Sequence, residues 1–409
     1  MSVLGLDVEA YKLCKDHKPA HFQLENVVRP NILALQPYRC ARDDYQEGVL
    51  LDANENALGT SIPPALNKHT HLDLHRYPDP SLHGVRPRIT ELRGMPHSAF
   101  TFLGVGSDEV IDLIQRCFAR PGQDKVLICP PTYGMYSVSA AVNDLAVVKV
   151  PLITEGGQFQ VDVPKVQAAL AADPSIKMVF LCSPGNPTGT LIPLSDVRKI
   201  LETPEYRGLV VVDEAYIDFA LEEQASGQKH GTEPLSAASL VSEYANLIVS
   251  QTLSKAHGLA GVRLGLAFAQ PPIIQVMNNT KAPYNISSPA AYLAAQALTE
   301  ESVSHMRANL RTLIANRDQL VKDLATIPSV GHVLGGNDAN FLLVQILDKP
   351  GGVPDNDRAA MAYKCMAEKH GLVVRNRSSE LGCKGCLRIT IGTAEENAMC
   401  IQLLRSLLA

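Results

Sequence analysis

Four apolar runs in the middle of the chain constrain its fold most strongly. Each run is apolar almost throughout, as a strand buried on both faces of a parallel sheet must be. Helical segments separate the runs, and the clearest one begins at Ser107 and ends before Pro121. This alternation predicts an α/β protein with a mostly parallel sheet flanked by helices. The predicted strands are Lys125–Cys129, Lys177–Cys182, Leu209–Val212 and Leu247–Ser250.

A second, smaller α/β domain is predicted towards the C-terminus, since 409 residues exceed what one core usually organises. Isolated strands are expected at Phe341–Gln345 and Cys386–Ile391, with a helix at Arg358–His370 between them. The polar stretch Leu221–Thr232 is predicted to be a surface loop. The predicted parts are an N-terminal arm with the first part of the small domain (residues 1–75), a large cofactor-binding domain (76–325) and a C-terminal small domain (326–409).

Composition and charge favour small-molecule partners. Apolar residues make up 46% of the chain and charged residues 19%, and the net charge is -5 with Lys and Arg scattered. No run reaches the roughly 18 apolar residues that cross a bilayer, and the first residues lack a signal or transit pattern. We therefore expect a cytoplasmic protein that binds neither membrane nor nucleic acid.

The nine cysteines do not indicate a disulfide framework or a metal site. Their number is odd, and several lie in apolar runs, which is typical of buried thiols in a reducing compartment. Cys383 and Cys386 form a C-x-x-C pair without a second pair at zinc-site spacing. We expect both to be structural and expect no bound metal.

Two motifs follow predicted strands at the sheet edge where α/β proteins bind ligands. Ser183–Gly189 (S-P-G-N-P-T-G) is a turn that presents the amide of Asn186. The segment Asp213-Glu214-Ala215-Tyr216 places a carboxylate at a strand end. Taken alone, the first is equally an ordinary tight turn and the second a structural or solvated charge.

A third motif, Thr252–Gly265, contains a lysine in small and apolar company. Desolvation there is expected to lower the pKa of Lys255 and favour the neutral amine needed for Schiff-base chemistry. An isolated lysine is usually a solvated surface residue. Thr252, Ser254 and Arg263, however, supply the hydroxyls and positive charge that suit a phosphate group.

A fourth motif, Gly104-Val105-Gly106-Ser107, precedes a predicted helix. Free backbone N–H groups at a helix start can bind phosphate, although a glycine-rich turn also begins helices for purely structural reasons. Asp108 and Glu109 in the first turn would repel a phosphate. The prediction therefore requires the backbone donors and Arg263 to outweigh them.

In combination and order, these motifs resemble the class I and II aminotransferases, which are fold-type I enzymes dependent on pyridoxal 5'-phosphate (PLP). The resemblance implies a large domain with a mostly parallel sheet and a smaller α/β domain. It implies that Lys255 holds PLP as a Schiff base and moves the proton during amino transfer. It also implies that Asp213 pairs with the pyridine nitrogen, that Asn186 and Tyr216 contact the ring hydroxyl, and that Tyr133 stacks on the ring. Its implied phosphate-side residues are Gly106, Ser107, Asp108, Thr252, Ser254 and Arg263.

Within that superfamily the chain is similar to the histidinol-phosphate aminotransferase family. The similarity rests on Leu35–Tyr38, Leu51–Asn56 and Cys386–Thr390, among other segments. It implies exchange of an amino group between histidinol phosphate and 2-oxoglutarate, giving imidazole acetol phosphate and glutamate, in histidine biosynthesis. The implied substrate contacts are Tyr38, Asn340, Arg375 and Arg388.

The same family forms homodimers in which Tyr77, in Tyr77-Pro78, would contact the neighbouring subunit's cofactor phosphate. Arg388 would bind the glutamate carboxylate and the histidinol phosphate group in turn, because a guanidinium can donate two hydrogen bonds to either. Arg377 is the alternative to Arg375. Three other functions stay open: an aromatic amino-acid aminotransferase, a PLP-dependent phospho-amino-acid decarboxylase, and a sensor with this fold but no turnover.

Overall fold

The computed structural model describes residues 3–39, 53–56, 58–63 and 68–409. Backbone contacts divide the chain into two compact units. These units do not coincide with the predicted boundaries near residues 75 and 325, so the three-part division stays a prediction. Within the described residues, no helix is both long and apolar enough to span a membrane. The first unit comprises Met1–Arg120 and Ala238–Val303, and the second comprises Pro121–Ala237 and Ser304–Ala409.

The strands and helices follow the alternation expected from the sequence. The strands are β1 (Thr101–Val105), β2 (Lys125–Ile128), β3 (Ala146–Lys149), β4 (Ile176–Cys182), β5 (Leu209–Asp213), β6 (Leu247–Thr252), β7 (Leu264–Phe268), β8 (Val330–Leu334), β9 (Phe341–Ile346), β10 (Arg375–Asn376) and β11 (Cys386–Thr390). The helices are α1 (Val8–Tyr11), α2 (Pro30–Leu33), α3 (Arg86–Leu92), α4 (Gly106–Phe118), α5 (Met135–Val142), α6 (Val163–Ala172), α7 (Leu194–Leu201), α8 (Ile217–Ala225), α9 (Pro271–Thr280), α10 (Ser288–Ala297), α11 (Glu300–Leu324), α12 (Asn356–His370) and α13 (Ala394–Leu407).

In the first unit, β7 lies between β1 and β6 and pairs with both in antiparallel fashion. The register places Gly265 of β7 opposite Gly104 of β1 and opposite Thr252 of β6. Helix α4 follows β1 directly and packs on β1 and β7 through its apolar stripe. Two of the predicted phosphate motifs therefore lie side by side.

In the second unit, β3, β2, β4 and β5 pair in parallel in that order. Every residue of β5 is buried, which explains its continuous apolar sequence. Strands β10, β11, β9 and β8 form a separate antiparallel sheet, against which α12 packs. Parallel strands alternating with helices confirm the predicted α/β class.

The predicted strands are confirmed with shifts of one or two residues at their ends. Two of the shifts matter for function, because β5 extends to Asp213 and β6 to Thr252. Both side chains are buried and polar. The apolar pattern stops at these residues while the backbone hydrogen bonds of the sheet continue, so an apolar-run criterion ends each strand too early.

The prediction that Leu221–Thr232 is a loop is wrong for its first part, because α8 extends to Ala225. Phe219 and Ala220 of this helix are buried. The polar residues that indicated a loop are buried as ion pairs: Glu223 lies 2.5 Å from the guanidinium of Arg317. Paired carboxylates of this kind can be buried without breaking a helix.

Candidate active site

In the first unit, the strand β6 brings the predicted Schiff-base lysine next to two hydroxyls. The backbone N–H of Ser254 donates to Oγ1 of Thr252 at 3.1 Å, and the two hydroxyl oxygens lie 2.9 Å apart. Lys255 follows and is exposed. The expected desolvation of Lys255 is therefore wrong for the single chain that the structure describes.

The glycines of the phosphate motifs are required by close packing. A Cβ on Gly106, whose φ is +75°, would lie 2.3 Å from Nη2 of Arg263. A Cβ on Gly265 would lie 2.2 Å from the carbonyl carbon of Gly106 and 2.5 Å from the backbone nitrogen of Ser107. Because neither glycine carries a side chain, the start of α4 can lie against β7 and against the guanidinium of Arg263.

The predicted charge conflict at the start of α4 has a structural answer. Nη2 of Arg263 lies 3.2 Å from Oδ2 of Asp108, so this carboxylate is paired with the proposed phosphate ligand. Glu109 accepts a hydrogen bond from the backbone N–H of Val105 and another, at 2.9 Å, from the amide of Asn285. Both acidic groups therefore have partners that reduce their repulsion of an anion.

Tyr38 and Tyr77 are brought together by Tyr284, a residue that the sequence reasoning missed. Tyr77 stacks on Tyr284 with ring centroids 4.7 Å apart, and the hydroxyls of Tyr38 and Tyr284 lie 3.3 Å apart. Tyr38 is 54% exposed and Tyr77 53%. The only local signal for Tyr284 is an aromatic residue after a proline in a polar turn.

Glu55, an acidic residue of the Leu51–Asn56 segment, holds Tyr77 in place. Oε1 of Glu55 accepts the backbone N–H of Tyr77 at 2.6 Å, and Oε2 pairs with Arg76 at the same distance. Leu51 and Asp52 of this segment lie outside the described residues. The sequence similarity at Glu55 therefore corresponds to a structural contact with the Tyr-Pro motif.

In the second unit, Asp213 ends β5 as a buried carboxylate. Its Oδ2 accepts a hydrogen bond of 2.7 Å from the hydroxyl of Tyr136, and its Oδ1 accepts one of 3.3 Å from the backbone of Ala215. Tyr136 in turn contacts Tyr133 edge to face, with ring centroids 5.6 Å apart. The predicted pyridine partner and the predicted stacking residue are therefore connected through Tyr136.

Asn186, Tyr216 and Arg388 also come together in the second unit. Nη1 of Arg388 donates to the amide oxygen of Asn186 at 2.6 Å. The Arg388 guanidinium lies 5.2 Å from the ring centroid of Phe341, and Tyr216 contacts that ring edge-on. Burial lowers the pKa of Arg388, which still leaves the guanidinium charged at neutral pH. Its buried Nε has no hydrogen-bond partner among the described residues.

Of the arginines considered for the substrate, Arg377 lines a cavity in the second unit, whereas Arg375 and Arg388 do not. A cavity of about 280 Å³ in the second unit is lined by Tyr133, Asn186, Arg377 and Glu380, among others. Arg375 is exposed and Asn340 is half-buried, and neither lines this cavity. Arg377, the alternative to Arg375, carries a buried Nε without a hydrogen-bond partner among the described residues.

Five of the eight cysteines that the structure describes are buried, and Cys14, Cys182 and Cys365 are half-buried. Burial raises the pKa of Cys129 to about 12, so this thiol is protonated at neutral pH. Cys383 and Cys386 are fully buried in an apolar cluster with Phe159, Leu334 and Leu343. Both are free thiols. Their surroundings agree with the expected structural role.

Known proteins resemble this chain along nearly its whole length. The family model for class I and II aminotransferases matches residues 46–404. The histidinol-phosphate aminotransferase of Schizosaccharomyces pombe is 47% identical over 395 residues, which cover 95% of this chain and 98% of that protein. That of Saccharomyces cerevisiae is 45% identical over 394 residues, covering 93% and 96%.

Solved structures share the fold. The histidinol-phosphate aminotransferase of Sinorhizobium meliloti, crystallised in complex with pyridoxal-5'-phosphate, matches with a TM-score of 0.69. The match covers 87% of this chain and 89% of that one at 22% sequence identity. At this identity the match shows a common fold, and it confirms the predicted fold type.

The chain therefore belongs to the class I and II aminotransferases, which are PLP-dependent transaminases. Within them it belongs to the histidinol-phosphate aminotransferase family. The residues present suit PLP chemically: an amine at Lys255, a buried carboxylate at Asp213, and hydroxyl, guanidinium and backbone donors around Gly106. They occur as two groups, one in each unit.

We expect Gly265→Ala to disrupt the phosphate motif, because its Cβ would require the backbone of Gly106 to move. The free energy of unfolding should fall by about 1–3 kcal/mol, as in overpacked cores. The affinity for PLP should fall about tenfold, which corresponds to one lost charge-assisted hydrogen bond. Gly261→Ala is the matched control, since a Cβ there meets no atom within 4 Å. Thermal melts and PLP titrations check both variants, and equal effects would contradict this interpretation.

Proposed function

We propose that this chain transfers an amino group between L-histidinol phosphate and 2-oxoglutarate in histidine biosynthesis. In this reaction, imidazole acetol phosphate and glutamate are the other substrate pair. The proposal is supported by family relatives that are 47% and 45% identical over more than nine-tenths of the chain. It is also supported by a half-buried guanidinium, Arg388, that is suited to an anionic substrate.

Lys255 is the residue that we propose to hold PLP covalently and, once released by the substrate amine, to move the proton. When bound, PLP withdraws electrons from the substrate Cα and so stabilises the carbanion formed there. A lysine that moves this proton must be uncharged and within hydrogen-bonding reach. The Asp213 carboxylate would keep the pyridine nitrogen protonated, because a buried carboxylate stabilises a neighbouring positive charge.

The remaining cofactor contacts are proposed from the family resemblance. Asn186 and Tyr216 would bind the ring hydroxyl, and Tyr133 would stack on the ring. The phosphate would be bound by backbone N–H groups at the start of α4 and by the guanidinium of Arg263. The proposed phosphate contacts are Gly106, Ser107, Asp108, Thr252, Ser254 and Arg263.

The hydrogen bonding of Arg388 is the observation that supports an anionic substrate. One side of its guanidinium is bound to Asn186, while the buried Nε–H has no partner among the described residues. A buried donor without a partner costs free energy that an incoming carboxylate or phosphate can recover. Arg388 would therefore bind the glutamate carboxylate in one half-reaction and the phosphate of histidinol phosphate in the other. Tyr38, Asn340 and Arg375 are the further proposed substrate contacts.

We also propose that the enzyme works as a cytoplasmic homodimer. Tyr77 would contact the cofactor phosphate of the neighbouring subunit. The support is that Tyr77 and Tyr38 are large aromatic side chains that are more than half exposed. Exposed aromatic clusters of this kind are typical of protein interfaces.

A substrate panel tests the proposed reaction. Purified protein with PLP should convert 2-oxoglutarate to glutamate when histidinol phosphate is the amino donor, with imidazole acetol phosphate as the other product. With phenylalanine or tyrosine, kcat/KM should be at least about a hundredfold lower, because they leave buried donors for the phosphate unpaired. Comparable values would favour an aromatic aminotransferase. Carbon dioxide release without 2-oxoglutarate would indicate a decarboxylase, and PLP binding without turnover a sensor.

We expect Arg375→Ala to lower kcat/KM for histidinol phosphate about tenfold more than for glutamate, because the phosphate carries more negative charge than the carboxylate. Lys384→Ala is the control, since it removes another exposed cation from the same stretch of chain. Steady-state kinetics of both half-reactions check this prediction. Equal losses for the two substrates would remove Arg375 from the phosphate site and leave Arg377 as the candidate.

A further inference from the structure

Tyr136, in the first turn of α5, is a fully buried tyrosine with a contact to two proposed cofactor residues. Its hydroxyl donates to Oδ2 of Asp213 at 2.7 Å. Its ring lies edge-on to Tyr133, with centroids 5.6 Å apart, and stacks on Phe180 of β4 at 4.9 Å and 17°. One side chain thus fixes both the carboxylate and the aromatic ring next to it.

The hydroxyl of Tyr136 is held in its donor state. Burial and then the neighbouring Asp213 carboxylate raise the pKa of Tyr136 well above its ordinary value. Cys182 also faces this hydroxyl, and burial raises the pKa of its thiol to about 12, so it is a neutral neighbour. At neutral pH the phenol proton therefore points to the best acceptor available, the Asp213 carboxylate.

A second buried tyrosine shows what a purely structural hydroxyl looks like in the same unit. The hydroxyl of Tyr206 donates to the backbone carbonyl of Leu209 at 2.8 Å. Leu209 begins the same strand, β5, that Asp213 ends. Tyr206 and Tyr136 therefore make hydrogen bonds of similar length to opposite ends of one strand, and only Tyr136 reaches a proposed catalytic group.

We propose that Tyr136 is a positioning residue for amino transfer: its hydroxyl fixes one oxygen of Asp213 while its ring fixes Tyr133. This inference rests on the roles proposed above for Asp213 and Tyr133. A hydrogen bond to an ionised carboxylate is about twice as strong as one between neutral groups. Anchoring Oδ2 restricts rotation of the carboxylate, so Asp213 meets the cofactor ring in one orientation without reorganisation.

The test compares Tyr136→Phe with Tyr206→Phe. Both variants delete one buried hydroxyl and keep the ring. We expect Tyr136→Phe to bind PLP about tenfold more weakly and to lower kcat about tenfold or more, as expected for a lost hydrogen bond to a charged group. The KM for glutamate should stay within about twofold, because substrate contacts remain. Tyr206→Phe should match the wild type in PLP affinity and kcat while losing similar thermal stability.

A double-mutant cycle separates positioning from general damage. If Tyr136 acts through Asp213, deleting its hydroxyl in an Asp213→Asn background should change kcat less than about twofold. An equal loss in both backgrounds would overturn the proposal, and so would identical behaviour of Tyr136→Phe and Tyr206→Phe. If the wild type fails to bind PLP, the proposed function itself fails instead. If Asp213→Asn keeps full kcat, the role proposed for Asp213 fails, and the positioning role of Tyr136 fails with it.

A second substitution serves if Tyr136→Phe does not fold. Replacing Tyr136 with 3-fluorotyrosine keeps the ring and makes the hydroxyl a stronger donor. We expect PLP to bind at least as tightly as in the wild type, with an unchanged melting temperature of the cofactor-free protein. Weaker PLP binding at an unchanged melting temperature would overturn the proposal.

Discussion

The buried carboxylate at the end of β5 is the constraint on which the arrangement of polar side chains in the second unit depends. A carboxylate out of contact with water is costly unless it is hydrogen-bonded. Asp213 meets this requirement through the hydroxyl of Tyr136, and the ring of Tyr136 is held by packing on Phe180. The apolar parallel strands therefore do more than form a core, because they surround one charge with a dry environment.

The first unit depends on a different constraint, which is to bring the start of α4 close to β7 and to the guanidinium of Arg263. It does so by omitting side chains: Gly106 and Gly265 allow the start of α4 and the strand β7 to approach until Arg263 lies against the turn. Such contacts are visible in sequence only as a glycine-rich pattern. The pairing of Asp108 with Arg263 then reduces the repulsion that the sequence predicts.

Local patterns predicted what depends on local physics, namely the strands and the fold class, but they ended β5 before Asp213 and β6 before Thr252. They failed where a partner lies far along the chain. Tyr136 is separated by 77 residues from Asp213, and the buried ion pair of Glu223 made helix α8 look like a loop. Tyr284 and the cavity position of Arg377 were missed for the same reason. The exposure of Lys255 was also missed, because the sequence does not show which distant residues cover a side chain.

Lys255 is proposed to hold the cofactor, and the first unit contains a second lysine, Lys281, that could compete with it for this role. Burial lowers the pKa of Lys281 to about 8, so this amine loses its proton more readily than an ordinary lysine. Its ammonium group, however, donates to the backbone carbonyl of Pro80. Borohydride reduction of the PLP-loaded enzyme followed by peptide mapping decides between them. We predict the reduced cofactor on Lys255, and finding it on Lys281 or on another lysine would contradict the account.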